Sequence, residues 1–143
     1  MMKQLISGFA LAVGLCMNSS AAIQTQKYKI SNDTEYAKIQ LVCDAFNITL
    51  KSKQAVTLTE HQTEVLNKSV RKKNAIHVFL FKKHYDTRSF AHVAFDSNAF
   101  EQAGFYTFSS TWMPELRLDI HFKDASGHRQ QKTHIKSLQH QEL

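Results

Sequence analysis

The chain contains 143 residues, 43% of them hydrophobic, and its 18 Lys and Arg residues outnumber 12 Asp and Glu residues to give a formal charge of +6. This length is typical of one domain. The sequence has four glycines and lacks the G-x-S-x-G, H-E-x-x-H and C-x-x-C patterns. It therefore excludes glycine-rich phosphate and dinucleotide loops, and the common motifs of hydrolases, zinc sites and dithiol enzymes.

The N-terminal residues 1–22 have the pattern of a secretory signal peptide. A short basic start with Lys3 precedes an apolar run over residues 5–17, and small residues lead to a cleavage site after Ala21 or Ala22. The run is too short to span a bilayer, so we expect an exported protein. The plain start led by Lys3 is typical of bacterial signal peptides, which predicts the periplasm or the medium as the destination. Lipid anchoring through Cys16 is a less favoured alternative, because Leu15 precedes this cysteine where Gly, Ala or Ser is usual.

Removal of residues 1–22 takes away only the charge of Lys3, which leaves 17 basic residues against 12 acidic ones, a formal +5. Outside the cytoplasm, this excess favours an anionic partner such as a lipid headgroup, an acidic glycan or an acidic protein surface. Cys43 then has no partner within the chain. We expect a small buried hydrophobic residue there, with an intermolecular disulfide and a reactive thiol as the alternatives.

The first half of the chain predicts a series of short strands. We expect a first or edge strand over 24–30 and a turn over 31–34. Strands over 36–44 and 46–50 follow, and then a polar hairpin tip over 51–54. Residues 56–59 read as a further strand. Residues 60–68 have helical spacing of apolar residues, and Thr57 to Glu60 fits a capping box, so a short helix is the alternative there.

The second half predicts a central strand over 75–81, its partner over 89–95, and a strand over 105–108. Residues 115–123 alternate apolar and charged side chains, and the alternation resumes after a turn at residues 124–127. A two-residue loop at Ser126 and Gly127 sets a register in which three pairs face each other: Phe122 and Gln131, Ile120 and Thr133, Leu118 and Ile135. A shift by one residue would place Lys132 and His134 under the core.

Eight or nine short strands at regular intervals predict an all-β domain over residues 23–143 with at most one short helix. We expect an antiparallel β-sandwich, with a small barrel as the alternative. The spacing of the strands is similar to that of immunoglobulin-like sandwiches, although the paired cysteines and the core tryptophan of a true immunoglobulin domain are missing.

Histidine is the one enriched residue type, with eight in the chain. In the predicted hairpin register, Asp119 faces His134 with His121 in the same row, and these three groups could bind Zn²⁺ or Cu²⁺. The alternative is a solvated sheet face that needs no cofactor. His77 and His92 lie in the most apolar strands, where we expect hydrogen-bonded core histidines.

Basic and aromatic residues supply the remaining candidates for a binding site. The basic residues lie in predicted connections that could meet at one end of the sandwich: Arg71, Lys72, Lys73, Lys82 and Lys83. The aromatic residues are Phe105, Tyr106 and Trp112, and the segment around Trp112 is the one we most expect to be exposed. The alternatives are solvated loops for the former and core packing for the latter.

These observations favour an exported, non-enzymatic binding module that recognises an anionic or protein partner and does not span a membrane. Export makes a nucleic-acid partner improbable. A periplasmic metal-binding protein and an enzyme with an unrecognised site are the alternatives. Exposed aromatic residues beside the basic ones would favour the binding module.

Overall fold

Alternating apolar and polar residues build two five-stranded sheets in the computed structural model, which describes residues 27–140. The first sheet has the spatial order β9-β8-β7-β1-β4, formed by β1 (Lys29–Asp33), β4 (Ala55–Thr57), β7 (Phe105–Ser110), β8 (Glu115–Lys123) and β9 (Arg129–Ser137). The second has the order β10-β6-β5-β2-β3, formed by β2 (Lys38–Cys43), β3 (Phe46–Lys51), β5 (Ile76–Phe81), β6 (Ala91–Phe95) and β10 (Gln139–His140).

The inner rows of the two sheets share one hydrophobic core, which makes the fold a sandwich. Phe95 of β6 meets Phe108 of β7 across the interior, with 5.9 Å between ring centroids. Cys43 is buried in this core as predicted, and burial raises the pKa of its thiol. Within residues 27–140 both sheets stay open at their edges, so the predicted sandwich is confirmed and no barrel closes.

Between residues 27 and 140, neighbouring strands are antiparallel except for the parallel pair of β1 and β7. Lys29 lies opposite Phe105, and Asp33 lies opposite Ser109. Parallel neighbours need a long connection, and here most of the second sheet forms between them. The predicted turn at residues 31–34 was wrong, because β1 continues through Asp33. The prediction for residues 1–22, including Cys16, lies outside the described residues.

A helix and a 3-10 turn cover one end of the sandwich. The helix α1 spans Glu60–Arg71, so the helical alternative for residues 60–68 is confirmed and extends three residues further. Its N-cap is Thr59, whose hydroxyl accepts from the Gln62 backbone N–H while the Gln62 side chain accepts from Thr59. The predicted capping box was therefore displaced by two residues. The 3-10 turn Ser97–Phe100 lies against α1.

The register predicted for the β8–β9 hairpin was wrong by one residue. Phe122 faces Gln130, and Leu118 faces His134, so the side chains expected on the wet face of β9 lie on the inner one. The physical reason is the turn, in which the Asp124 carboxylate accepts hydrogen bonds from the backbone of Ser126 and His128 and replaces the two-residue loop. The inner face tolerates polar residues because most of β9 is exposed.

The chain crosses between the sheets at a buried polar junction formed by Asn32 and Thr34. The Asn32 side chain donates to the carbonyl oxygen of Leu50 in the opposite sheet at 3.1 Å and accepts from the Thr34 hydroxyl at 2.6 Å. That hydroxyl also accepts from the Tyr36 N–H, and the Thr34 carbonyl accepts from Ser52. These bonds satisfy groups that would otherwise be buried without partners.

We expect Asn32→Ala to lower the free energy of unfolding by about 2–6 kcal/mol, since it leaves buried groups of Leu50 and Thr34 without partners at about 1–3 kcal/mol each. Urea denaturation measures the change. The control is Asn47→Ala, which removes an exposed hydrogen bond to Gln40 and should cost less than about 0.5 kcal/mol. Equal losses in the two variants would contradict the role given to Asn32.

Candidate functional site

The predicted binding residues are divided between opposite ends of the sandwich. Arg71 ends α1, and Lys72 and Lys73 follow it directly. β5 then carries the chain along the length of the second sheet to Lys82 and Lys83. The basic clusters therefore do not meet at one end, as the sequence led us to expect, because an entire strand separates them.

The predicted aromatic residues also separate. Phe105 is 58% exposed at the α1 end, whereas Trp112 is 93% exposed near the Lys82 end. The exposure expected for Trp112 is confirmed. Tyr106 is fully buried, stacks on Phe100 with 4.8 Å between ring centroids, and donates a hydrogen bond to the carbonyl oxygen of Gln102. Tyr106 therefore belongs to the core and cannot reach a partner at the surface.

Two grooves contain the predicted basic residues, and both are lined by acids as well. Arg71 and Lys73 line a groove between α1 and the 3-10 turn that also contains Asp96 and Glu101. Lys82 lines a groove at the opposite end with Glu35, Glu115, Phe90 and Met113. Its ammonium lies 4.0 Å from the ring centroid of Phe90. Because each groove balances its cations with carboxylates, neither selects an anion by charge.

A third cleft, which we call the basic aromatic cleft, opens where β7 begins, β8 ends and β9 begins. Its volume is about 490 Å³, and it is lined by Lys27, Gly104, Phe105, His121, Phe122, Lys123, Arg129 and Gln130. Three cations, Lys27, Lys123 and Arg129, are among the described residues that line this cleft. An apolar floor with a cationic rim attracts a ligand that carries both an apolar part and a negative charge.

Gly104 allows β7 and β8 to approach each other at the floor of the cleft. A Cβ atom at this position would collide with the carbonyl oxygen of His121 and crowd the Cβ atom of Phe122. Gly104 further accepts a hydrogen bond from the backbone N–H of Lys29, which ties β1 to the cleft.

Lysines lie over both aromatic rings of the cleft. The Lys29 ammonium is 5.7 Å from the ring centroid of Phe105, and that of Lys132 is 5.5 Å from the centroid of Phe122. These distances fall within the range of cation–π attraction. Asp124 follows Lys123 in the chain and keeps its negative charge, because hydrogen bonds from His128 and Gln130 lower its pKa. The lysines over Phe105 and Phe122 nevertheless place positive charge directly against both rings.

The predicted metal ligands lie on opposite faces of the first sheet. His134 pairs with Leu118 and faces inward beside Phe95, whereas Asp119 and His121 belong to the outer row. The Asp119 carboxylate accepts from Thr133 and from Arg117, and these bonds, which outweigh burial, lower its pKa. The shifted register thus separates the three groups, and no cluster of three His, Cys, Asp or Glu residues occurs within residues 27–140.

His77 and His92 form a stacked pair on the outer face of the second sheet. Their rings lie 5.2 Å apart between centroids, Nδ1 of His77 lies 3.0 Å from Nε2 of His92, and Phe79 stacks on His92. The two histidines are half-buried and hydrogen-bonded to each other, in partial agreement with the core histidines that we expected. Burial, and secondarily the charge of His77, lowers the pKa of His92 below its ordinary value of 6.5.

The sequence analysis missed Lys27, Phe122, Lys123 and Arg129. Phe122 and Lys123 end a strongly alternating strand. They line a cleft with Arg129 and Gln130 only because the hairpin register places these residues opposite one another. Lys27 reaches the same place only through the parallel pairing of β1 with β7. The scarcity of glycine after residue 22, which leaves Gly104 and Gly127, was the one sequence signal that could have marked this position.

Comparison with known proteins assigns no relative: no family model, curated protein or solved structure matches this chain. Among the residues that the structure describes, no helix is long and apolar enough to cross a membrane.

We expect the protein to lose stability as the pH falls below about 6.5, in part through His92. The unfolded chain binds a proton at a higher pH than folded His92 does, so unfolding takes up protons in the window between the two pKa values. Above this range of pH, His92 is neutral in both the folded and the unfolded chain and does not reduce the free energy of unfolding. The slope of the free energy of unfolding between about pH 7 and about pH 5 should therefore be shallower in His92→Gln.

Urea denaturation at stepped pH values measures this slope. The control is His84→Gln, which replaces an exposed histidine in the loop between β5 and β6 and should keep the wild-type slope. An unchanged slope in His92→Gln would contradict the contribution of this residue.

Proposed function

We propose that the protein is an exported, non-enzymatic binding module and that the basic aromatic cleft recognises an anionic partner with an apolar group. The observation that carries this proposal is the cleft itself, where Phe105 and Phe122 lie beside the cations Lys27 and Arg129. Export is proposed from the signal-peptide pattern of residues 1–22.

The ligand chemistry follows from the two parts of the cleft. Transfer of apolar surface from water onto the two rings supplies a free energy of about 25 cal/mol per Å². The cationic rim adds attraction for a phosphate, sulfate or carboxylate and increases the rate of encounter. An uncharged amphiphile contacts only the two aromatic rings, and an inorganic anion contacts only the cations of the rim. A ligand with both an apolar group and a negative charge therefore binds more tightly than either.

Three small probes separate these contributions: octyl phosphate, octyl glucoside and inorganic phosphate. Isothermal titration calorimetry with the purified protein should give the tightest binding for octyl phosphate. Arg129→Glu should weaken octyl phosphate about tenfold, which corresponds to roughly 1.4 kcal/mol, and Phe105→Ser should weaken both octyl compounds. Raising the salt concentration should reduce the preference for phosphate, since exposed charges are screened.

The matched control is Lys51→Glu, the same reversal of an exposed cation at the end of β3, away from the cleft. It should leave the affinity for octyl phosphate unchanged. Equal affinities for octyl phosphate and octyl glucoside, or equal losses in Arg129→Glu and Lys51→Glu, would show that the cleft does not select anions and would contradict the proposal.

A further inference from the structure

The edge of the first sheet ends in an unusually long and exposed strand. β9 has nine residues, seven of them exposed, and among residues 27–140 it is the terminal strand of its sheet. The other described edges are smaller targets: β4 has three residues, β10 has two, and β3 lies against α1 and β1. An edge strand carries a row of backbone N–H and C=O groups that can pair with another chain.

The hydrogen bonds at both ends of the hairpin determine which residues of β9 face the open edge. The backbone N–H of Asp124 donates to the carbonyl oxygen of His128 at 2.9 Å. At the other end, the backbone N–H of Leu138 donates to the carbonyl oxygen of Pro114, also at 2.9 Å. Hydrogen-bonded pairs alternate in an antiparallel ladder. Counted from either end, the backbone N–H and C=O groups of the even-numbered β9 residues therefore bond to β8. The backbone groups of the odd-numbered residues face the open edge of the sheet: Arg129, Gln131, Thr133, Ile135 and Ser137.

The side chains of β9 indicate the composition of a strand that would fit beside it. The inner row contains Lys132 and Lys136, and the outer row contains Ile135, which is 51% exposed. β9 carries these lysines and Arg129 but no acidic residue. Because opposite charges on adjacent strands attract and like charges repel, an added strand should be acidic toward the inner row and apolar toward the outer one.

From these contacts we infer that β9 is a docking edge for an extended segment of a partner protein in which acidic and apolar residues alternate. The segment adds to the sheet as a sixth strand, through backbone hydrogen bonds to the odd-numbered residues of β9. A second copy of this chain fits less well, since β9 paired with β9 brings the cations of both strands together. This surface adjoins the basic aromatic cleft at Arg129, but its test reads the amides of Gln131, Thr133 and Ile135, which do not line the cleft.

Amide hydrogen exchange, measured by NMR, tests the inference with two nine-residue peptides, one alternating Glu and Val and the other alternating Lys and Val. In the free protein, the amides of Gln131, Thr133 and Ile135 should exchange faster than those of Lys132 and His134. The Glu–Val peptide should slow exchange at the three odd-numbered amides by about tenfold or more, and the Lys–Val peptide should not. Absence of protection by the Glu–Val peptide would overturn the inference.

A substitution that removes one edge N–H gives a second test. Gln131→Pro deletes a donor that the β8–β9 ladder does not use, and proline is tolerated at such edge positions, so the variant should fold and lose the peptide. Gln131→Ala keeps the donor and should bind as the wild type does. Equal binding by the two variants would overturn the inference. If Gln131→Pro does not fold, the exchange experiment on the wild-type protein decides.

Sedimentation of the free protein distinguishes the alternative occupant. A monomer whose odd-numbered amides exchange rapidly supports an edge that is open to a partner. A dimer in which these amides are already protected would assign the edge to a second copy of this chain, and would overturn the inference.

Discussion

The position of β1 between β4 and β7 is the constraint on which the rest of the structure depends. It joins β4 to the rest of the first sheet, and it brings Tyr28 under the α1 end, where the phenol donates to the carbonyl oxygen of Phe100 at 2.7 Å. Burial there raises the pKa of Tyr28 to about 12. The same strand carries Asn32, whose side chain joins the two sheets, and it places Lys29 over Phe105 at the basic aromatic cleft.

Both proposed surfaces arise where the first sheet extends beyond the shared core. β9 is an edge strand with little of its inner face covered, so it accommodates Lys132 and other polar residues there. The Phe122 ring at the end of β8 is left half-buried for the same reason. Positive charge spread evenly over a surface has little selectivity. Cations beside partly exposed aromatic rings give a partner specific contacts, and so do the outer backbone groups of β9.

The strand predictions that succeeded were those in which one side of a strand faces the core. Residues 36–44, 46–50 and 89–95 alternate clearly because burial selects apolar side chains at every second position. The predicted register of β9 was wrong, because it assumed that one face of the strand is buried, and most of β9 is exposed. An edge strand with two exposed faces carries no strong apolar pattern, and the side chain of Asp124, not hydrophobic burial, sets the alignment.

By itself, the sequence determined the class of the fold, most strands, the burial of Cys43 and the exposure of Trp112, because local periodicity and burial decide all of these. It offered the helix at residues 60–68 only as an alternative. Only the tertiary structure decided which cations meet. It separated Arg71 from Lys82 by the length of β5, and it joined Lys27 to Arg129 across about a hundred residues of chain. Such a site depends on which strands become neighbours, and alternation along one strand contains no information about its neighbours.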